Sequence, residues 1–269
     1  MPRNRSTIWS ILIIAGLTVS VVLLFVNINF TKNNPGGNDF LVHWVGTRNL
    51  ILKGVSPYSD ETALDIQKIA YGRPAKPGEH ELRVAYPIYS IVLFLPFALV
   101  KDFSLARAIW MTVLEIAIVA LSVLSIRFVR WKPRINILMV LMVFTISWYH
   151  AIRPLINGNA IILIALGLAG ALIAIRSGLD EVAGVLLALT TIKPQVVIVT
   201  LVFISLWAIM EKRWRILFWL LGTVLLLVSA GSLLIPDWIL QNLREILRYP
   251  GYNPPGTIVS AMVEIFPVF

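Results

Sequence analysis

The sequence predicts an all-α integral membrane protein, a bundle of about seven to nine membrane-crossing helices. Of its 269 residues, 58% are hydrophobic and only 14% are charged, whereas soluble domains carry about 25% charged residues. Apolar segments recur along the whole chain, and the Lys and Arg residues cluster in the short links between them. We therefore expect one transmembrane domain covering residues 1–269, in a multi-pass protein of the cell membrane.

The positions of the charges decide how the formal net charge of +9 is interpreted. A strongly basic protein often binds nucleic acid, but here the basic residues lie in short links such as 127–134 and 211–215. The positive-inside rule expects this pattern of cytoplasmic loops. We therefore predict membrane lipids, and no nucleic acid, as partners. The chain contains no cysteine, which excludes disulfides, thiolate metal sites and cysteine nucleophiles.

The first apolar run, residues 8–28, follows Arg3 and Arg5 and has the length of a membrane span. No small-residue cleavage site follows it, so we expect a retained first helix with a cytoplasmic N-terminus. Residues 29–86 are then a long external loop, the longest polar region of the chain.

A helix over residues 38–53 is predicted in this loop, because its apolar residues recur with a period near 3.6. Asn38 is the expected N-cap, and Gly54 is expected to end the helix in the left-handed conformation. An amphipathic helix beside a span usually lies in the plane of the membrane surface, so we expect a juxtamembrane helix. Residues 60–71 suggest a second short helix.

The apolar run 86–100 is short and contains Pro96, whereas 105–126 is long enough to cross the membrane. If both crossed, the basic link 127–134 would lie outside. Either 86–100 is re-entrant, which we favour, or the positive-inside rule fails here. Five further apolar runs follow, at 135–149, 160–175, 182–192, 196–210 and 216–235, and residues 236–269 are expected to be an external C-terminal segment.

Asp39 is the candidate for an active carboxylate. It lies in the first turn of the predicted helix, where the helix dipole favours an ionised carboxylate, and the membrane boundary suits a base that acts on a membrane-bound substrate. Asp is also common at this position for helix stability alone. His43 follows one turn later on the same face, where it could bond Asp39 or the substrate, or be a packed polar tip.

Four other residue types are candidates for substrate binding. Lys193 interrupts an apolar stretch, so it either faces a bundle interior or water-filled cavity or snorkels at a helix end. Arg153 lies in the predicted external turn at 150–159. Asn157 and Asn159 flank Gly158 in that turn, where Asn-Gly is equally a turn signal. Tyr58, Tyr86 and Tyr89 could line the external face or anchor the chain at the interface.

Several common site motifs are missing from the sequence. There is no GxxxxGK[ST], GxGxxG or HExxH, so nucleotide hydrolysis, dinucleotide binding and zinc-protease chemistry have no support. No spacing of carboxylates indicates a cation site, and we predict metal independence. Glu115, inside an apolar span, marks either a pathway or a buried pairing, and we favour the structural pairing.

Four segments of the chain carry a shared pattern when taken in order. They are NDFLVHWVGTRNLILKGVSPY at 38–58, with its DF pair and terminal PY, AYPIYSIVLFLPFALV at 85–100, RPLINGNAIILIALGL at 153–168 and the run at 183–215. Together they resemble glycosyltransferase family 87 over about residues 38–215. Three positions depart from the family pattern: Ile88 stands where a second proline is usual, Asn159 where glutamine is usual, and His43 where an aromatic residue is more common.

The resemblance implies a polyprenyl-phosphate-mannose-dependent mannosyltransferase with a GT-C-like membrane fold. It implies Asp39 as general base, inversion at the sugar, a lipid or glycan acceptor on the external face, and no cofactor beside the lipid-linked sugar donor. It also implies Lys193 and Arg153 as contacts of the donor phosphate, and Asn157 and Asn159 as candidates for binding sugar hydroxyls. Two alternatives stay open. A transporter or lipid flippase would usually have paired broken helices in two repeated halves, and we find no such repeat. A truncated, non-catalytic accessory paralogue is the other, because the chain is short at its C-terminus compared with the family.

Overall fold

The computed structural model describes residues 5–252, apart from the side chains at positions 5–9 and 12. Throughout this range the regular structure is helical, without a strand, which confirms the all-α prediction. A short 3₁₀ turn covers Ile88–Ser90. The α-helices are α1 Arg5–Asn33, α2 Asn38–Lys53, α3 Asp60–Tyr71, α4 Ile91–Ala98, α5 Phe103–Phe128, α6 Ile135–Ser147, α7 Tyr149–Asn157, α8 Ile161–Arg176, α9 Asp180–Thr190, α10 Pro194–Met210, α11 Trp214–Leu234 and α12 Trp238–Tyr252.

Three of the described helices are long and apolar enough to cross a membrane: the part of α1 from Ile13 to Asn33, α5 and α11. The pair α6 and α7 makes a fourth if it is counted as one span bent by 46°. The helices α8 and α10 are apolar but shorter. The chain therefore has the character of a membrane protein, and the larger number of crossings stays a prediction.

Polar side chains hold α1 antiparallel to α5. The Asn27 amide donates to Thr112 Oγ1 at 3.0 Å and to Glu115 Oε2 at 2.9 Å. One turn further along α1, Thr31 Oγ1 donates to the carbonyl of Ser104 at 2.9 Å. Hydrogen bonds of this kind associate helices in lipid, where no general hydrophobic force acts between them. Glu115 thus makes the structural pairing expected for it.

The bundle has two chemically different ends. At one, which we call the basic end, Arg176 donates to the carbonyl of Phe128, and Arg213 and Arg215 pair with Asp180 and Glu181. The link 127–134 also lies there. The opposite end, which we call the α2 end, carries α2, α3, α4 and the last turns of α1 and α11.

The segment 86–100 starts and finishes at the α2 end. Ile88 packs against Gly231 in the last turns of α11, and the carbonyl of Val100 accepts a hydrogen bond from Trp44 of α2 at 3.3 Å. The helical part, Ile88–Ala98, is roughly 16 Å long at about 1.5 Å per residue, about half of the hydrocarbon core of a bilayer. This geometry agrees with a partial crossing rather than a full one.

Helix α2 has the predicted bounds, but its surroundings differ from the prediction. Gly37, with φ 78°, precedes the first helical residue without a side-chain cap, so Asn38 is not the N-cap. Residues 40–47 and Asn49 are buried against α3, α4 and the segment after α3, whereas Ile51 and Leu52 in the last turn are exposed. Asn49, on the polar face of the helix, donates to Thr62 Oγ1 and Asp65 Oδ2. Gly54 ends the helix with φ 67°, as predicted.

Helix α12 is clamped onto the loop 29–86 by ion pairs. Arg83 is 8% exposed and bonds both carboxylate oxygens of Glu245, at 2.6 and 3.1 Å, as well as Asp60 at 2.7 Å. Arg248 adds a contact of 2.9 Å to Glu81. The outer face of α12 exposes Leu240, Leu243 and Leu247, among other apolar residues. The remainder of the expected C-terminal segment, residues 253–269, lies outside the described residues.

Candidate active site

Asp39 lies half-buried in the first turn of α2. Its carboxylate oxygen Oδ2 accepts a hydrogen bond of 2.7 Å from the side-chain amide of Asn159. Asn159 follows the end of α7 and is separated from Asp39 by 120 positions of chain. The structure therefore brings together two of the residues that the sequence suggested independently.

Lys193 extends this contact into a chain of three side chains. It is half-buried in the turn between α9 and α10, and its Nζ donates to Asn159 Oδ1 at 2.8 Å. The same ammonium lies 5.5 Å from the centre of the Tyr86 ring. Burial lowers the pKa of Lys193, and the charge of Asp39 acts in the opposite direction. We call Asp39, Asn159 and Lys193 the polar chain.

Gly158 allows Asn159 to approach Asp39. Its φ of 73° is in the left-handed region, and a Cβ there would lie 2.5 Å from Phe40 Cβ, closer than real carbons come. Trp110 holds the loop in place by donating from Nε1 to the carbonyl of Gly158 at 2.9 Å. The Asn-Gly-Asn sequence is therefore both a turn, as one prediction had it, and the support of a site residue.

His43 packs between aromatic rings. Its ring stacks on Phe94 with a centroid distance of 4.5 Å and lies 4.1 Å from the Tyr86 ring. The side chain is buried, and burial, with Lys193 adding to it, lowers the pKa of His43 to about 3. Within the described residues no hydrogen bond joins it to Asp39. The geometry favours a neutral, packed ring over a titrating partner of Asp39.

This burial predicts an acid sensitivity of the fold. Between pH 6.5 and about pH 3 the unfolded chain protonates His43 and the folded chain does not. The free energy of unfolding therefore decreases as the pH is lowered through that range. At pH 4.5 the His43 contribution is a loss of about 2–3 kcal/mol. We expect the unfolding temperature of the detergent-solubilised protein to fall from pH 7 to pH 4.5. This acid shift should be smaller in His43→Phe, which keeps the ring contacts, than in wild type. The exposed His150→Phe is the control, and an equal acid shift in His43→Phe and wild type would contradict the prediction.

The remaining substrate-binding candidates lie outside the polar chain. Tyr58 is buried, and its hydroxyl donates to the carbonyl of Tyr86 at 2.7 Å, so it supports the main chain beside the site. Arg153 is exposed and donates to the Tyr149 hydroxyl at 2.9 Å. Asn157 is the last residue of α7 and makes no side-chain hydrogen bond to the polar chain. Arg153 therefore contacts its own helix, whereas Asn159 and Lys193 are bonded within the polar chain.

Arg107 was missing from the sequence-based candidates, and Tyr86 was named only among the tyrosines that could line the external face. Tyr86 is the ring shared by His43 and Lys193. Arg107 is 1% exposed within α5 and bonds carbonyls on the two segments that carry Asp39 and Asn159. The same reasoning that singled out Lys193, a charge inside an apolar run, could have found it.

Chemically, the polar chain combines a proton acceptor with a cation. An ionised carboxylate at Asp39 can take a proton from a hydroxyl group, and the Lys193 ammonium can stabilise a negative charge that develops close by. Among residues 5–252 no group of three His, Asp or Glu side chains could hold a metal ion. The arrangement suits an acid–base reaction with an anionic leaving group.

Comparison with protein families identifies a matching family. The family model described as glycosyltransferase family 87 matches residues 85–263, about two-thirds of the chain. The matched range contains Arg153, Asn157, Asn159 and Lys193, and it begins after Asp39. Comparisons with curated proteins and with solved structures give no significant match.

Proposed function

Because the chain belongs to glycosyltransferase family 87, we propose that it moves mannose from a polyprenyl-phosphate donor to a lipid or glycan acceptor. Glycosyltransferase activity itself is implied by the family. The finer assignment is ours: a single displacement that inverts the sugar, with Asp39 as the general base and Lys193 beside the leaving phosphate.

The observation that carries this proposal is the polar chain. An acceptor hydroxyl loses its proton to the Asp39 carboxylate as its oxygen bonds to C1 of the sugar. The bond between C1 and the phosphate oxygen breaks at the same time, and its electron pair stays on the phosphate. Such a step needs a base and a cation close together, and Asn159 bonds both, at 2.7 Å to Asp39 and 2.8 Å to Lys193.

The surroundings of the polar chain support a lipid-linked donor. The apolar helices beside the site expose large hydrophobic residues along their outer faces, for example Val199 at 79% and Phe203 at 69% in α10. A polyprenyl tail can lie against such a face while its phosphate stays near Lys193. Asn159 is also suited to a sugar hydroxyl, because an amide both donates and accepts hydrogen bonds.

The distribution of basic residues supports an active site on the external face. The links around Arg130 and Arg213 lie at the basic end, and the positive-inside rule favours a cytoplasmic location for them. The polar chain lies at the opposite end. We therefore assign the site to the extracytoplasmic side of the cell membrane, where lipid-linked rather than nucleotide-linked sugars are the accessible donors.

The test is sugar transfer in membranes that contain the chain, against matched membranes without it. Radiolabelled polyprenyl-phosphate-mannose and GDP-mannose are supplied separately, and the label is followed into extractable lipid and glycan. We expect a chain-dependent product with the lipid-linked donor, formed with inversion as judged by NMR of the purified product. Product from GDP-mannose alone, or movement of intact donor across the bilayer without a new glycosidic bond, would contradict the proposal. The absence of product from either donor, in a properly inserted chain, would favour the accessory alternative.

A further inference from the structure

Arg107 is a buried cation whose hydrogen bonds go to backbone carbonyls. It lies in the second turn of α5 and is 1% exposed. Nη1 donates to the carbonyl of Asn34 at 2.7 Å, and Nη2 donates to the carbonyl of Ile156 at 3.1 Å. Its Nε is buried without a hydrogen-bond partner among the described residues. No carboxylate in that part of the chain pairs with it.

The two carbonyls belong to the two segments that carry Asp39 and Asn159. Asn34 lies in the link from α1 to α2, five positions before Asp39, and Ile156 lies in the last turn of α7, three positions before Asn159. The guanidinium therefore joins these segments close to the point where the two side chains meet. The carbonyl of Ile156 is also at the negative end of the α7 dipole, which favours a cation there.

The local backbone is built around this side chain. Gly37, two positions before Asp39, has φ 78°, and a Cβ on it would lie 2.5 Å from Arg107 Nε. The ring of Phe30 lies 5.7 Å from the guanidinium carbon on another side. The planar fork of arginine reaches two separate carbonyls at once, which the single ammonium of lysine cannot do with the same geometry.

A charge in an apolar helix without a carboxylate partner is costly to keep. The Asn27–Glu115 contact already holds α1 to α5, so Arg107 is not required for that pairing. We propose that Arg107 is a positioning residue that sets the distance between Asp39 and Asn159. Its catalytic consequence rests on the function proposed above, whereas its geometric consequence does not.

The geometric consequence is tested without an activity assay. The chain has no cysteine, so Asp39→Cys with Asn159→Cys introduces one defined thiol pair, which a short bis-methanethiosulfonate reagent can bridge. We expect bridging to be at least fivefold slower when Arg107→Gln is added, and intermediate with Arg107→Lys. Arg127→Gln, an exposed arginine of the same helix, is the control and should leave the rate unchanged. If the Arg107→Gln variant does not insert into the membrane, the bridging rate of Arg107→Lys is used instead, and a rate equal to wild type would contradict the proposal.

The catalytic consequence is read from kinetics of the chain with Asp39 and Asn159 intact. We expect Arg107→Gln to lower kcat and kcat/KM together, by about 10- to 100-fold, with KM for the donor within about threefold of wild type, because a misplaced base costs transition-state rather than ground-state binding. An unchanged bridging rate, or a loss that appears only in KM, would overturn the positioning role. If wild type shows no transfer while bridging still depends on Arg107, the failure belongs to the proposed function and not to this inference.

Discussion

Replacement of Asp39 by asparagine should lower the rate of sugar transfer by about 10²- to 10⁴-fold, the range for loss of a general base. The amide has the shape of the carboxylate and keeps an oxygen that can accept the hydrogen bond from Asn159, which is 2.7 Å long to Asp39 in the wild type. It cannot take up the acceptor proton. We therefore expect loss of activity without loss of the fold.

The measurement is initial rate with the lipid-linked donor, together with the unfolding temperature of each purified variant. Glu61→Gln is the matched control, since it removes an exposed acidic charge from the same loop and should transfer sugar at the wild-type rate. If Asp39→Asn were as active as wild type, Asp39 would be only a structural residue of the helix start. A variant that is both inactive and unfolded would be replaced by Asp39→Glu, for which we expect a smaller but clear loss.

Replacement of Lys193 by methionine should lower kcat by about 10²- to 10³-fold, the usual cost of removing one group that stabilises charge in the transition state. The ammonium would face the phosphate as it leaves, and methionine has similar length without the charge. The opposite effect is expected on stability. Because burial already disfavours the charged form of Lys193 and lowers its pKa, the apolar replacement should leave the unfolding temperature unchanged or raise it.

These opposed effects separate a catalytic from a structural lysine. Lys193→Arg keeps the charge and should retain more activity than Lys193→Met, and the exposed Lys101→Met is the control at the same end of the bundle. A fall in unfolding temperature with unchanged kcat would show that Lys193 only holds Asn159 in place. In that case the leaving phosphate would need another cation, and the proposed role of the polar chain would be reduced to Asp39.

Much of the local structure could be predicted from sequence. The bounds of α2 and α3 match because they depend on apolar periodicity and on Gly54 and Gly72, which end the helices in the left-handed conformation. The surroundings of α2 could not be predicted. Asn49 on its polar face is buried because it finds partners on α3, 13 and 16 positions away, which is beyond the reach of helix periodicity.

The candidate site shows the same division. Asp39, Asn159 and Lys193 could be named individually, Asp39 from its place in the first helical turn, Asn159 from the turn beside Gly158 and Lys193 from its place in an apolar run. Arg153 met similar criteria, yet it is exposed and bonds Tyr149 on its own helix. Local pattern cannot distinguish these cases, because it does not say which way a side chain faces once the helices pack.

By itself, then, the sequence determined the helical membrane character, the bounds of the helices around Asp39 and the resemblance to a glycosyltransferase family. Tertiary structure alone decided that Asp39 and Lys193 meet through Asn159 and that His43 is a packed ring. It also decided that Arg107 joins the segments that carry Asp39 and Asn159. The physical reason is that helix propensity and hydropathy act over a few residues. The polar chain depends on contacts across 34 and 120 positions, which form only when the helices have packed.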